Sequence, residues 1–417
     1  MFMCFDTVVA STLAERCTMS SYLAYSVLLG GFIYPVVVHF IWSENGYLSS
    51  LVETPLLGVG VLDFAGSGVV HMTGGMAALC ASCVVGPRKN RFEDSKGEPL
   101  KAVGLQKGQS VSLQILGTLI LWFGWYGFNS GSALLLGMPN TGDIAATAAV
   151  NTTLCAATSA IIALITNGIY LQSTTGEFNL DITAAMNGCL SGLVAITASC
   201  AIVTEGCAIV IGICAAWIYM GSSMLLIRWK IDDAVDAIPV HLCNGLWGLL
   251  ATGLFASPDL IPDVFGIEER AGWLYNLAMP QLLATQLVGA VFILAWTGLC
   301  MIPFFKLLDY FDILRVDAID EIVGLDATYG GEGMPLKLFD DSTDSDEELR
   351  LKAYQMKFEG KRNKTKVCLD DVIDSSWGNF GDFGSSNDKN SIAVSEIEDV
   401  PVEECAPSAP DGTKNGA

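Results

Sequence analysis

The sequence predicts an all-α polytopic membrane protein: an inverted-repeat helical bundle of about eight full spans and a partial first one, followed by a cytoplasmic tail. Three observations predict it. Hydrophobic residues make up 52% of the 417-residue chain, too apolar for a soluble domain of that length. Uncharged runs of about twenty residues recur over the first three quarters, each long enough to cross a ~30 Å hydrocarbon core as a helix. Two of those runs share one scheme: Asp63 and Asp233 each precede, by eight positions, a histidine inside a helix of small residues, His71 and His241. A repeat of this kind in a membrane protein places a site at the interface between its halves.

Taken in order, the expected spans are 1–15 (partial), 19–42, 63–86, 109–136, 143–169, 181–201, 205–227, 237–256 and 279–308. The opening run, MFMCFDTVVASTLAER, lacks a basic n-region, so it reads as a start-truncated chain rather than a targeting segment. Arg16, the group Arg88, Lys89, Arg91, Lys96, Lys101 and Lys107, the pair Arg228 and Lys230, and Arg315 fall in loops an even number of spans apart. The intervening loops carry Glu44, Glu53, Asp143, Glu205, Asp259 and Asp263, and 170–180 has no Lys or Arg. The positive-inside rule makes the basic loops and the tail cytoplasmic. Residues 1–310 are then the transmembrane domain, 311–335 a membrane-proximal segment with enough apolar residues to dock beneath it, and 336–417 an acidic, mostly disordered tail.

Orientation gives the repeat its meaning. The span of His71 runs inward and that of His241 runs outward. Eight residues at 1.5 Å each is about 12 Å of depth, so two such side chains approach the midplane from opposite faces. The repeat is inverted, and the imidazoles can meet.

The net charge of −22 resides mainly in the last hundred residues and excludes nucleic acid as an expected partner. Most of the thirteen cysteines, Cys80 and Cys83 among them, lie inside apolar spans and read as small buried hydrophobes rather than a disulfide framework or zinc site. Metal binding needs more ligands than two imidazoles, and no cofactor motif is visible. Glycines such as Gly66, Gly68, Gly74, Gly75 and Gly131 are first a signal of close helix packing.

Only three histidines occur, His39, His71 and His241, all within or at the edge of spans. Each alone reads as a hydrogen-bonded core residue; a midplane pair reads as a proton path or a narrow polar file. Asp63 serves either as a helix cap or as a carboxylate that attracts a cation to the outer mouth. Asp232, Asp233 and Asp236 read as inner-mouth caps and anchors. Trp42 is either an interfacial anchor or a cation–π face. In Trp122-FGWYGFNSGSA-Leu134, the rings of Trp125, Tyr126 and Phe128 either pack, or one of them plugs a pore beside a hydroxyl. No nucleophile and base accompany the histidines, so an enzyme is not expected.

Several phrases resemble the ammonium transporter, methylammonium permease and Rhesus glycoprotein superfamily, most closely its eukaryotic ammonium transporters. They are AER at 14–16, YPVVVHFIWS at 34–43, DFAGSGVVH at 63–71, FGWYGFNSGSA at 123–133, DDAVDAIPVH at 232–241 and DEIVGLDATYGG at 320–331. The resemblance implies a plasma-membrane homotrimer with one pore per subunit, conducting ammonium/ammonia and methylammonium. It implies that Trp42 and Ser132 form an outer recruitment site, Phe128 is one of two gate rings, and Asp63 supports recruitment and deprotonation. It implies that His71 and His241 line the pore, and that Thr328 stands at a regulatory phosphorylation position. Family members have eleven spans and begin with two further helices and most of a third, so the second gate ring would fall near Met1. An ammonium sensor signalling through the tail and a Rhesus-like gas channel for ammonia or carbon dioxide are the rival readings.

Overall fold

A computed structural model of the chain describes residues 8–89, 91–93, 110–133, 140–323 and 325. Thr328, the acidic tail 336–417 and the loop lysines Lys96, Lys101 and Lys107 lie outside the described residues. Among the described residues, seven helices are long and apolar enough to cross a membrane: α1 (Met19–Trp42), α2 (Ser67–Val85), α3 (Val111–Ser132), α4 (Thr141–Thr175), α6 (Glu205–Arg228), α7 (Ile238–Phe255) and α8 (Gln281–Tyr310). The remaining expected full span, 181–201, is shorter. Its helix, α5 (Ile182–Ile196), stops after 15 residues.

The reason lies in another part of the chain. Ser67 Oγ accepts from the Ala198 amide at 2.7 Å and donates to the Val194 carbonyl at 2.7 Å. The Thr197 and Ala198 carbonyls accept from the Ala65 and Phe64 amides. Backbone groups released by ending α5 early are therefore taken up by the approach to α2, as a water-free interior requires.

Local chemistry sets the other ends. Thr18 caps α1 by accepting from the Ser21 amide, and Asp181 caps α5 by accepting from the Thr183 amide at 2.9 Å. Helix α6 carries Glu205 in its first turn and Arg228 in its last, matching its dipole. Helix α4 has 35 residues, roughly 52 Å at 1.5 Å per residue, so it extends beyond the hydrocarbon or crosses at a tilt. It ends at left-handed Gly176. Within α1, Pro35 has no amide to give back to Gly31; the π-turn Leu29–Ile33 absorbs the mismatch, with the Tyr34 amide reaching Leu29 O, and Trp296 Nε1 donates to the Ile33 carbonyl at 3.1 Å.

The pair that organises the bundle is α2 and α7. Each opens with a π-turn, Ser67–Met72 and Ile238–Cys243, that carries its histidine. Four residues past each histidine stands a glycine pressed on its partner's backbone. A Cβ on Gly75 would overlap the Leu242 amide nitrogen, and one on Gly245 would lie 2.6 Å from Ser67 O and 3.0 Å from Met72 N. Leu242 and Met72 each follow a histidine directly, so the contact is reciprocal, as a two-fold repeat demands.

Basic loops gather at one end. Arg16, Arg88 and Arg91 all reach Asp232, Lys230 pairs with Glu93, and Arg315 pairs with Glu321. Arg270 is an exception to the charge pattern: it lies between the far end of α7 and α8 and donates to the Gly58 carbonyl. The ten described cysteines are all free thiols; Cys80, Cys155, Cys189 and Cys200 are buried, but Cys83 is exposed on the outside of α2.

Gly75→Ala is expected to force α2 from α7 and cost roughly 1–3 kcal/mol, as overpacking of a close contact does. Gly117→Ala on α3, where an added Cβ meets nothing within 4 Å, is expected to be neutral or slightly stabilising. Thermal unfolding of the two purified variants in detergent checks the contrast.

Candidate functional site

The chain reaches α2 through Asp63, which is 2% exposed. Its carboxylate accepts from the amides of Gly66 (2.9 Å), Gly68 (3.0 Å) and Val69 (2.8 Å). These are helix-start donors with no partner in their own helix, and a carboxylate there also favours the positive end of the helix dipole. Gly66 makes the turn possible: its φ of +106° favours glycine, and a side chain there would strike Val70 and the Trp42 ring.

Trp42, half-buried at the end of α1, donates its indole N–H to the Asp63 carbonyl at 2.6 Å. The ring is therefore fixed to the mouth of α2 by a hydrogen bond, which an anchor dissolved in lipid headgroups would not need. Asp63 serves both neighbours through different atoms, its carboxylate holding the π-turn and its carbonyl holding the indole.

The π-turn delivers His71, fully buried, to the centre. Its Nδ1 lies 3.2 Å from His241 Nδ1, with ring centroids 5.2 Å apart. Trp125 stacks on His71 at 5.0 Å and 12°, and Phe128 tilts against it at 5.5 Å. Two nitrogens at that distance share one proton, so one imidazole carries hydrogen on Nδ1 and the other on Nε2. His71 Nε2 is buried and has no protein partner. A neutral pair thus presents one N–H and one lone pair through its outer nitrogens, the equipment a small hydrogen-bonding molecule needs.

Ser132, 4% exposed at the end of α3, donates to the Phe128 carbonyl at 2.8 Å. Its hydrogen is committed, leaving oxygen lone pairs to accept from a ligand. Phe128 touches all three apolar clusters of the bundle. His39 is exposed and set edge-on to Phe40, away from the histidine pair.

Three residues of the site escaped the sequence reading or were undervalued by it. Trp125 stacks on His71 and is held by a 3.0 Å bond from its Nε1 to Thr197 Oγ1; the available signal was its i, i+3 relation to Phe128 on one helix face. Gln286 is an amide buried in a span, and Arg16 a fully buried cation.

Ahead of α7, Asp233 repeats the capping of Asp63, accepting from the Ile238 amide at 2.6 Å. Asp236 accepts from Tyr219 and Ser223 hydroxyls, both at 3.0 Å. Asp232 does more than cap. It takes Arg16 at 2.6 Å, Arg88 at 2.8 Å and Arg91 at 3.2 Å. Burial pushes its carboxyl up, but the Arg88 hydrogen bonds and the Arg16 and Arg88 charges prevail and hold it at about 2. Among the described residues no group of three or more His, Cys, Asp or Glu could hold a metal ion.

Membrane-spanning helices enclosing a buried polar pair, with an aromatic and a carboxylate at the mouth, define a polytopic membrane transport protein. The chain belongs to the Ammonium Transporter Family, whose model matches residues 1–334. It is 38% identical over 343 residues to Ammonium transporter 1 member 3 of Solanum lycopersicum, covering 78% of this chain and 71% of that protein. It is 40% identical over 334 residues to Ammonium transporter 1 member 2 of Arabidopsis thaliana, covering 78% of this chain and 63% of that one. Among solved structures it resembles a Sensor Amt Protein with a TM-score of 0.64 and 31% identity over 79% of this chain and 75% of that chain. It also resembles Candida albicans Mep2, with a TM-score of 0.62 and 28% identity over 75% and 63%. Its relatives are membrane transport proteins, not enzymes.

Asp232→Asn is expected to cost about 3–5 kcal/mol, because three buried guanidiniums lose their shared carboxylate. Thermal unfolding or surviving membrane yield reads the loss. Since the folded pKa is depressed, the contribution of Asp232 is complete above its ordinary value of 3.8 and is lost as pH falls through about 2.

Proposed function

We propose that this protein moves ammonium across a membrane by recruiting the ion at an outer site, removing its proton and passing ammonia along the file lined by His71 and His241. The observation that carries the reading is the part-buried Nδ1···Nδ1 contact of 3.2 Å between helices that enter from opposite faces. Family membership supports the substrate. Ammonium and methylammonium are the proposed cargo, and no cofactor takes part.

Each residue has a role that its surroundings favour. Trp42 offers a ring face for the cation, worth about 0.5–2 kcal/mol depending on desolvation, and Ser132 an acceptor oxygen. Asp63 holds Trp42 and supplies negative charge near the mouth; with its oxygens engaged by three amides, it acts on the ion from a distance. Phe128 is the gate below, and Trp125 keeps His71 in plane. A fully desolvated ion costs many kcal/mol, whereas neutral ammonia crosses an apolar file cheaply. Uptake is electrogenic when the proton follows through the histidine pair.

The protein acts as a homotrimer in the plasma membrane with its C-terminal tail in the cytoplasm. Residues 1–310 form the transport domain, 311–335 a regulatory segment bearing Thr328, and 336–417 an acidic tail. The bonds that tie Arg315 to Val85 O and Pro87 O, and the Lys89 amide to Glu321, favour a role for the second segment at the cytoplasmic mouth.

In uptake-deficient cells starved of ammonium, the His71→Ala/His241→Ala double variant is expected to abolish ammonium-dependent current; unchanged uptake and current would end the twin-histidine mechanism. The similarity to a Sensor Amt Protein gives the sensor reading its own test. A chain ending after residue 335 is expected to keep transporting methylammonium, while a pure sensor would lose signalling alone.

A further inference from the structure

Gln286 belongs to none of the motifs described above, and its contacts are specific. It lies in the second turn of α8, fully buried. Its Nε2 donates to the Leu62 carbonyl at 2.6 Å, and its Oε1 accepts from the Leu62 amide at 3.1 Å. One side-chain amide thus pairs with both backbone groups of a single residue, the one before Asp63. The same face of α8 continues the fit. Three residues on, Gly289 makes room for Val61, whose Cγ2 would lie 2.9 Å from an added Cβ. Four further on, Ile293 reaches Gly68, which donates to the Asp63 carboxylate.

We infer that Gln286 is a positioning residue for the outer cation site, aligning Leu62 so that Asp63 meets Trp42 with its carbonyl and α2 with its carboxylate. This inference rests on the proposed role of Trp42. The segment 59–62 is irregular backbone whose amides are each bonded: those of Val59 and Gly60 donate to the Leu56 carbonyl, Val61 N reaches Leu48 O at 2.8 Å, and Leu62 has Gln286. Without that pairing, two backbone groups of Leu62 are buried unsatisfied, and the peptide that leads into Asp63 is free to rotate. Only a group with a donor and an acceptor side by side replaces it.

That requirement supplies the test. An ionised glutamate has two acceptors and no donor, so it faces the Leu62 carbonyl with a lone pair. Its protonated form regains the donor and restores both bonds. Methylammonium uptake is measured with full-length Gln286→Glu and Gln286→Met at equal surface level, each as a ratio to the parent chain at external pH 5 and pH 8. For Gln286→Glu the KM ratio is expected to be raised about three- to tenfold at pH 8, the scale of a lost hydrogen bond or two, and to return towards one at pH 5, with Vmax within about twofold. For Gln286→Met, which fills the space and makes neither bond, KM is expected to be raised equally at both pH values.

A KM ratio of one at both pH values, or a fall in Vmax with KM unchanged, overturns the positioning role. If Gln286→Glu fails to reach the membrane, Gln286→Met decides by the same KM criterion. If neither reaches it, Gln286 is required for folding and the positioning role is likewise overturned. Trp42→Leu, measured alongside, separates this inference from the reading beneath it. A raised KM in Trp42→Leu with normal KM in both Gln286 variants defeats the inference alone, whereas a normal KM in Trp42→Leu defeats the outer-site reading.

Discussion

A membrane interior offers no water to a backbone amide, and the start of α2 leaves several. The carboxylate of Asp63 takes three of them, and much of that end of the bundle follows from it. Because Asp63 must be buried to reach them, its own carbonyl is turned to where Trp42 can donate. Because the capped turn is π-helical, with the His71 amide bonded to Gly66 O at 3.1 Å, the helix begins wide and its histidine is rotated inward. The same device serves α7 from the other face through Asp233. An acid eight residues before a histidine is therefore an instruction for backbone satisfaction before it is an electrostatic one.

Two enclosed helices would not bring imidazoles to 3.2 Å without small residues behind them. Gly75 and Gly245 let each helix rest on the other's backbone just past the histidine, and Gly248 faces Ser67 in the same contact. Dry aromatic surface closes the pair, with Trp125 on one face of His71 and Phe128 beside it. On the proposed route this combination would select against a charged occupant: a cation would have to shed its water among rings and aliphatic groups, whereas a neutral molecule with one donor and one lone pair would meet matching partners.

The end of the bundle that carries the basic loops is held by charge instead. Asp232 joins Arg16 from the chain ahead of α1 and Arg88 and Arg91 from the loop after α2, so that three stretches far apart in sequence meet on one carboxylate. Arg315 and Glu321 extend the network to the segment after α8. Such pairs are costly to bury and costlier to break, which makes them devices for fixing geometry more than sources of stability.

Much of this was legible from order and composition. Span lengths follow from how many apolar residues run together, and the meeting of His71 with His241 from equal depths counted from opposite ends of antiparallel helices. These are properties of short stretches, each set by the exchange between water and hydrocarbon. The tertiary structure alone decided where α5 ends, since the hydroxyl of Ser67 lies 131 positions from the Ala198 amide it accepts from. It decided also that Trp125 stacks on His71, that Gln286 binds Leu62 and that Asp232 gathers three arginines. Backbone and side-chain groups inside a bilayer must find partners wherever packing brings them, and a partner fifty or more residues away leaves no local pattern to read.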